Sequence, residues 1–599
     1  MFTMSLGPIH CKIARLLTLF TLSLFLPAMA LCQVDTGSIS GTVRDTSGSV
    51  IPGVNVTLTN LGTGQSISTT SKSAGEYTFS PVRIGRYSVS AEMTGFEKIQ
   101  QNNVTVDVQE KVQVDLLMTL GKTSETVTVD AAPPALQTQD ASVGQVIGQQ
   151  AINDLPLNGR NYTFLAQLAA GVNQGQQDTR GLGSSGAFSA NGLRPAQNNY
   201  LLDGIDNNSN LVDFLNGTNY AIKPPVDAIQ EFKVSTNDYS ADTGRSAGAV
   251  LNATIKSGTN HFHGAAWEFF RNDALDAANY FENANGLPKG RFQQNQFGAT
   301  LGGPIIHNKT FFFVDYEGTR ANQAIPYTST VPTATEVSSG FTNFSELLGQ
   351  GGTVTDILGR SFALGQIFDP STTRAISCGV QDPVTGITAP CPSGTSTGSN
   401  IGYAREIFAG NILPAGRLEA NSIALAKLYP AANNTGLFNN YGSNPISTNT
   451  VDQMDARVDH AFSTKDNIFG RFSYVDNPEF IPGPFGGIAD GGSFSSGNQQ
   501  ATTYSAALGE THVFSPNLVN EVRLGYNRLS VTRLQPNADT PGIPAQYGIP
   551  GVPAGESNGG LGGIFPTGLG NLGSSGYLPS IELSTNTQIS DNVTRTMGR

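Results

Sequence analysis

The stretch VDQMDARVDHAF, residues 451–462, alternates between two kinds of side chain. Every second residue is apolar or small and the residues between are charged: Met454, Ala456 and Val458 against Asp455, Arg457 and Asp459. Residues two apart share one face of a β-strand, so this segment predicts a strand with one face for lipid and one for a wet lumen. A half-buried soluble sheet has the same period.

The pattern recurs in NEVRLGYNR, residues 520–528, where the two faces are Val522, Leu524 and Tyr526 against Glu521, Arg523 and Asn527. From His261 onward, alternating runs are separated by stretches rich in Gly, Ser, Thr, Asn and Pro. Residues 321–450 and 535–580 are far longer than ordinary loops. We interpret both as external loops, the first with a strand or short helix inside.

The first 30 residues have the three parts of a secretory signal peptide. Lys12 and Arg15 precede the apolar run 16–26, and Ala28-Met29-Ala30 follows it. The run is too short to span a bilayer as a helix, so we predict cleavage after Ala30. Because the chain is predicted to be exported and has no longer apolar stretch, we favour a membrane β-barrel over a half-buried soluble sheet.

Composition narrows the class of protein further. The 599 residues include 69 Gly and are only 13% charged, unlike an ordinary enzyme, because Ser, Thr, Asn, Gln and Gly supply the polarity. The net charge of −12 argues against nucleic acid as a main partner. Export allows Cys378 and Cys391 to bridge, and we predict a disulfide clamping an external loop, because a metal would need more ligands nearby.

Residues 37–121 alternate short β-branched runs with turns, which predicts a small β-sandwich. The segments GTVRD (41–45), SGSVIPGVNVTL (47–58), GEYTFSPVRIGRYSVSAEMTGF (75–96) and VQVDLLM (112–118) resemble the carboxypeptidase-regulatory-like domain. We assign this domain to residues 34–121. Members of that family are accessory modules, so the resemblance implies no peptidase activity.

Three segments resemble, in this order, the plug domain of TonB-dependent receptors, and more closely that of the Oar-like branch: residues 155–172, 188–208 and 226–260. Their sequences are LPLNGRNYTFLAQLAAGV, FSANGLRPAQNNYLLDGIDNN and VDAIQEFKVSTNDYSADTGRSAGAVLNATIKSGTN. Their mixed pattern predicts a compact α+β unit over residues 142–256. The segments GAAWEFFRND, NQFGATLGGPI and KTFFFVDYEGTR, after residue 263, likewise resemble the opening strands of an Oar-like barrel.

The linker 122–141 contains ETVTVDA, residues 125–131, followed by Pro133-Pro134. Such a strand can be gripped by β-augmentation, through main-chain hydrogen bonds. It resembles the TonB box, and its position before the plug-like region favours Glu125, Thr126, Val127, Thr128 and Val129 as the contact with TonB. The residues alone allow equally a last sandwich strand or a stiff linker.

The predicted fold is therefore mainly β: a signal peptide, a small β-sandwich, an α+β plug, and an incomplete transmembrane antiparallel β-barrel over residues 257–599. A plugged transporter barrel needs about 22 strands, and well under half of these are recognisable after Lys256. We expect a chain that stops partway through its barrel.

Several motifs suggest chemistry without the setting that it needs. Gly244–Gly248 matches G-x-S-x-G, and two segments, 181–186 and 568–573, match G-x-G-x-x-G, but none has the required strand before and helix after it. Asp203, Asp206, Asn207 and Asn208 lack calcium-loop spacing, and structural Asx turns are favoured. His261 and His263 are too few for a metal site, so no catalytic residue, metal or cofactor is predicted.

The resemblance implies an outer-membrane receptor, not an enzyme, that contacts outer-membrane lipid. It would take up an unidentified extracellular ligand, an oligosaccharide or a peptide, with energy from TonB. The alternative is a non-transporting surface or adhesion protein.

Overall fold

The computed structural model describes residues 36–121, 126–130, 142–174, 186–209, 220–239, 243–490 except 285 and 287, 496–515, and 518–595 except 554 and 556. The predicted signal peptide and Glu125 lie outside these ranges. The described chain is mainly β. Among these residues, no helix is both long enough and apolar enough to cross a membrane.

The first unit, here called the sandwich, packs two sheets around buried apolar residues such as Val43, Leu58 and Val89. Its strands are β1 (Gly37–Asp45), β2 (Asn55–Asn60), β3 (Ser66–Thr70), β4 (Glu76–Val82), β5 (Gly85–Glu92), β6 (Lys98–Val106), β7 (Lys111–Gln113), β8 (Leu116–Met118) and β9 (Thr126–Asp130). One sheet has the order β4-β1-β7, with β8 also on β1, and the other has β3-β2-β5-β6-β9. The sequence analysis missed β3 and β6, because SISTT and the QQNN of β6 lack an apolar alternation.

The second unit, here called the plug, is built on a mixed sheet in the order β10-β15-β16-β13-β14. Its strands are β10 (Val143–Gly148), β11 (Val172–Gln174), β12 (Phe188–Ala190), β13 (Asn199–Leu202), β14 (Ile205–Asp206), β15 (Ile229–Asn237) and β16 (Val250–Ile255). Helix α1 (Gln149–Asp154) and a 3₁₀-helix (Tyr162–Leu168) cover it, and the latter lies within the plug-like segment 155–172. Every residue of β16 is buried, as expected of a central strand covered on both faces.

The third unit, here called the barrel wall, is one antiparallel sheet of eight long strands in the order β17-β18-β19-β26-β27-β28-β29-β30. The strands are β17 (His263–Asn272), β18 (Phe292–Ile306), β19 (Thr310–Ala324), β26 (Ile446–Ala461), β27 (Asp466–Ile481), β28 (Gly497–Ser515), β29 (Leu518–Leu534) and β30 (Ser580–Arg595). Over the described residues the sheet is open, because β17 and β30 do not pair.

The predicted alternation of the wall is confirmed. Met454 and Val458 are 43% and 45% exposed on the outer face, whereas Asp455 and Arg457 are 3% and 6% exposed against the plug. In β29, Leu524 is 41% exposed and Arg523 is 1% exposed. The apolar face thus points outward and the charged face holds the plug, as a membrane wall around a polar lumen requires.

The connections give the wall two different ends. Turns of a few residues join β18 to β19, β26 to β27 and β28 to β29, and the long excursions lie at the opposite end. The sandwich lies at the short-turn end, where the Asn260 N–H donates to the Gly62 carbonyl at 3.0 Å. Exposed phenylalanines Phe262, Phe462 and Phe514 flank this end, as aromatic residues do at a membrane interface.

The expectation that residues 321–450 form a loop with a strand or short helix was too simple. β19 continues to Ala324 and β26 begins at Ile446, and the segment between them folds. It contains β20 (Tyr327–Ser329), β21 (Thr353–Thr355), β22 (Ser361–Ala363), β23 (Phe368–Ser377), β24 (Asn400–Ile407), β25 (Tyr441–Ser443), α3 (Ala334–Ser338) and α4 (Ala420–Ala426). The buried residues Leu358, Ile376, Ala389 and Ala404 give it a small core, and we call residues 353–408 the outer subdomain.

The remaining short helices lie in the connections. They are α2 (Tyr280–Ala284), α5 (Ile543–Gln546) and the 3₁₀ turns Asn158–Arg160, Pro195–Gln197, Val226–Ala228, Asp273–Leu275, Ser345–Gln350, Ala409–Asn411, Ala415–Arg417 and Gly487–Ala489. The excursion after β29, predicted as a loop, packs Ile543, Leu561 and Leu572 against Ala489 from the preceding excursion. The outer connections therefore support one another.

Candidate functional site

An ionic contact anchors the plug to the barrel wall. The Asp203 carboxylate, fully buried after β13, pairs with Arg457 at 3.0 Å and with Arg471 at 2.8 Å. Arg523 donates to the Asp203 carbonyl at 3.0 Å. Since a buried carboxylate is stable only with such partners, the plug depends on the wall at this point.

The neighbouring Asp206, Asn207 and Asn208 stabilise backbone. The Asn208 N–H donates to Asp206 Oδ1 at 2.8 Å, which is an Asx turn, and Asp206 also pairs with Arg245. The Asn207 amide donates to the Ile222 carbonyl and accepts from the Ile222 N–H, at 2.8 and 2.9 Å. These oxygens serve protein donors, in agreement with the structural interpretation of the motif.

The same face of β26 connects the wall to the sandwich. Asp459 lies between Arg457, two residues away at 3.0 Å, and Arg83 of the sandwich at 2.8 Å. Arg457 therefore belongs to two contacts, one with the plug and one, through Asp459, with the sandwich. Movement of either unit disturbs the same buried charges.

A cavity of about 330 Å³ lies between the plug and the halves of β26–β29 nearest the long excursions. Its wall carries cross-strand rows: Glu479, Gln499 and Arg533 in one, and Gln453, Val475, Thr503 and Leu529 in another. Arg533 Nε donates to Gln499 Oε1 at 2.9 Å. The plug contributes Phe164, Tyr220 and Lys223. The cavity thus combines aliphatic, amide and charged groups.

Lys223 is held in this cavity by its own backbone. Asn207 binds both the N–H and the carbonyl of Ile222, whose side chain is buried in the plug core, and Pro224-Pro225 restrict the chain on the other side. Burial lowers the pKa of Lys223, and the negative charge of Glu317 opposes this shift. Sequence analysis missed this residue, because its position depends on hydrogen bonds from Asn207, which lies 15 residues before Ile222.

The candidate TonB box is part of the sandwich. Thr126–Asp130 forms β9, which runs parallel to β6 and pairs Val127 with Ile99 and Val129 with Gln101. Thr128 is exposed. β9 is the end strand of its sheet, so among the described strands only β6 binds its backbone. This is the last-strand position that the sequence left open beside the TonB-box interpretation.

Carboxyl groups meet where the sandwich contacts the plug. The Glu231 carboxyl of β15 accepts the Val108 N–H, and Lys233 on the same face donates to the Gln109 carbonyl at 3.4 Å. Burial, followed by the nearby Asp107 carboxyl, raises the pKa of Glu231 to about 9. Burial also raises the pKa of Asp107. Protonation of Glu231 is thus favoured while the two units are in contact.

Cys378 and Cys391 are joined by a disulfide in the outer subdomain, with their Cα atoms 4.7 Å apart. Cys378 is fully buried. Beside the bridge, Arg374 binds Asp382 and Glu406 at 2.6 and 2.7 Å. The sequence pair that was predicted to clamp an external loop therefore lies in a folded, ion-paired segment.

The remaining motifs have structural positions. The Ser246 hydroxyl, in the G-x-S-x-G match, donates to the Gln197 carbonyl at 2.5 Å. In the 181–186 match only Gly186 is described, and no helix follows the 568–573 match before β30. His263 Nδ1 lies 3.0 Å from the His261 carbonyl.

Sequence analysis also missed a group of potential metal ligands on the wall near the short-turn end. Asp466, Glu510 and His512 have ligand atoms within 4.8 Å of one another, and the His512 ring already pairs with Asp466. Strand pairing aligns Asp466 with His512, which sequence spacing alone does not show.

Comparisons with known proteins agree with this architecture. The model of the outer membrane beta barrel domain family matches residues 254–599, more than half of the chain, and that of the carboxypeptidase regulatory-like domain matches residues 38–119. The chain therefore belongs to the outer membrane β-barrel domain family and is an outer-membrane protein.

Among curated proteins, the chain is similar to the TonB-dependent transporter Oar of Myxococcus xanthus, with 28% identity over 297 residues. The match covers 47% of this chain and 26% of Oar, so the chain spans about a quarter of that relative. The resemblance to the Oar-like branch and to the regulatory-like domain is confirmed. The descriptions of these matches indicate no catalytic family.

The chain is also similar to solved structures. The outer membrane transporter YddB from Escherichia coli has a TM-score of 0.43 and 12% identity, covering 76% of this chain and 45% of YddB. The siderophore receptor PirA from Acinetobacter baumannii has a TM-score of 0.37 and 14% identity, covering 77% and 50%.

Proposed function

We propose that this chain is part of a TonB-dependent receptor that takes up an extracellular ligand with energy delivered through TonB. The ligand binds in the cavity between the plug and the wall. TonB binds residues 125–129, and the resulting force displaces the plug. We assign the signal peptide to residues 1–30, the carboxypeptidase-regulatory-like domain to 34–121, the plug to 142–256 and the barrel to 257–599. The linker is residues 122–141, and it contributes β9 to the sandwich.

One observation carries this proposal: the plug is held in the wall by buried ion pairs at Asp203, with a cavity on one side and β9 on the other. Apolar packing yields gradually, whereas the loss of one partner from a buried ion pair leaves a costly unpaired charge. Such a contact suits a plug with one seated position that force can break. The two ends of the wall support the same proposal, because the cavity lies towards the long excursions, whereas β9 lies with the sandwich at the short-turn end.

TonB binding can be tested by replacing Val127 with proline. Proline removes a backbone donor, so we expect Val127→Pro to abolish binding of the TonB C-terminal domain in calorimetry on the detergent-solubilised protein. Val127→Thr keeps the donor and the β-branched shape and should bind normally. Equal binding by the two variants would exclude this strand as the TonB contact.

A second candidate function is a non-transporting surface or adhesion role, which the disulfide-closed outer subdomain favours. Its binding to cells or surfaces would not need TonB. Deletion of residues 353–408 would then abolish adhesion, and Val127→Pro would leave adhesion unchanged. Under the receptor function, Val127→Pro stops uptake.

A further inference from the structure

The Lys223 ammonium lies in the outer cavity without a direct acceptor. Among the described residues, no side chain or carbonyl forms a hydrogen bond or ion pair with it. An ammonium group has three donors, and Lys223 is only partly exposed, so its partial removal from water is costly unless these donors are paired. Within the described part of the chain, this cation therefore has no acceptor, and a bound ligand can supply one.

Glu317, the acidic residue that acts on Lys223 electrostatically, is already occupied. Its Oε1 accepts from Gln296 and Gln453, both at 2.9 Å, and its Oε2 accepts from Trp267 at 3.2 Å. Arg160 lies 3.7 Å from the same carboxylate. The negative charge of Glu317 therefore lowers the free-energy cost of placing the Lys223 ammonium in the cavity. It does so from a distance and accepts no hydrogen bond from that ammonium.

The other charged residues of the cavity lie across the wall from one another. Glu479 and Arg533 flank Gln499 in one cross-strand row, and the two charges interact. Arg533 is held by Gln499, whose Oε1 accepts from its Nε at 2.9 Å, whereas the described residues provide no such acceptor for Lys223. Between this row and the plug, the wall is aliphatic at Val475, Leu529 and Val531.

We propose that the cavity binds an amphipathic carboxylate, with the carboxylate on the Lys223 ammonium and the apolar body against the aliphatic wall. The inference rests on the proposed receptor function and names its ligand class. Charge-assisted hydrogen bonds are about twice as strong as neutral ones, so a carboxylate satisfies the ammonium better than a sugar hydroxyl does. The backbone contacts of Ile222 hold Lys223 in place before the ligand arrives.

The test compares N-acetyl-Ala-Ala-Leu with its C-terminal amide, and with maltose as a neutral sugar, by calorimetry on the detergent-solubilised protein. The acid should bind at least about tenfold more tightly than the amide, since a hydrogen bond to a charged group contributes that much. Lys223→Gln should remove this preference and Lys223→Arg should keep it. Lys427→Gln, at an exposed lysine of the outer connections, is the matched control.

Equal binding of acid and amide, binding of maltose alone, or no binding of any probe would overturn the proposal. So would a Lys223→Gln variant that still prefers the acid. Thermal unfolding of each variant shows whether it is folded, and Lys223→Arg provides a folded comparison. TonB binding measured on the same samples separates the two hypotheses, because a wrong ligand class leaves it intact, whereas a wrong receptor function abolishes it.

Discussion

At the residue scale, the most consequential side chain is Asp203, because one carboxylate serves two wall arginines. Arg457 and Arg471 are 7% and 1% exposed in their side chains, so neither can turn to solvent if Asp203 is neutralised. The plug core and the wall meet here through charge. The position of the plug within the wall therefore depends on a few ionic groups.

Replacing Asp203 with asparagine keeps the shape and removes the charge. We expect a loss of about 3–5 kcal/mol in the free energy of unfolding, the usual cost of breaking a buried pair. Asp452→Asn is the control, since Asp452 and Arg320 are 36% and 40% exposed and such pairs contribute about 0–1 kcal/mol. Chemical denaturation in detergent measures both, and equal losses would contradict the anchor.

Glu231 makes the sandwich–plug contact depend on pH. Its pKa is raised to about 9 from 4.5, so the folded protein binds a proton that the unfolded chain releases above pH 4.5. Stability from this group is complete below pH 4.5 and is lost as the pH rises towards 9. The pKa of Asp107 shifts in the same direction, and burial also raises the pKa of Glu110, although the positive charge of Lys233 opposes that shift.

Glu231→Gln retains an acceptor for the Val108 N–H and removes the titration. We expect the melting temperature of the variant to fall less between pH 6 and 9 than that of the native protein. Glu76→Gln, on an exposed sandwich position, should follow the native profile. A native profile in the Glu231→Gln variant would show that this carboxyl does not control the contact.

At the element scale, the Cys378–Cys391 bridge closes a short loop in the outer subdomain. A disulfide between residues 13 apart restricts the unfolded chain and thereby adds about 3 kcal/mol to the free energy of unfolding. We expect the Cys378→Ser/Cys391→Ser variant to be cut faster by protease within residues 353–408, with the wall unchanged. Native protein treated with reductant should behave in the same way, and resistance of both would contradict the prediction.

At the scale of the whole molecule, the outer face of the wall must contact lipid. Leu524 lies near the middle of β29 and Phe514 near the short-turn end of β28, both pointing outward. Leu524→Arg should cost about 2–4 kcal/mol on folding into vesicles, and Phe514→Arg about 0–1 kcal/mol, because the penalty decreases towards the interface. Equal costs would contradict the assigned depth.

The sequence by itself determined the alternating strands, the sandwich and the order of the units. These features depend on local periods and on motifs contiguous in the chain, as with the two faces of residues 451–462. It did not reveal β6, whose QQNN lacks that period, or the folding of the outer subdomain, whose core residues are widely separated.

Only the tertiary structure decided which residues meet. Asp203 and Arg457 are 254 residues apart, and nothing local to either predicts the pair. Lys223 reaches the cavity because Asn207 holds its neighbour, and β9 joins β6 through backbone bonds that any sequence can make. Period is a property of a segment, whereas partners depend on register and packing across the whole chain, and the candidate site consists of such partners.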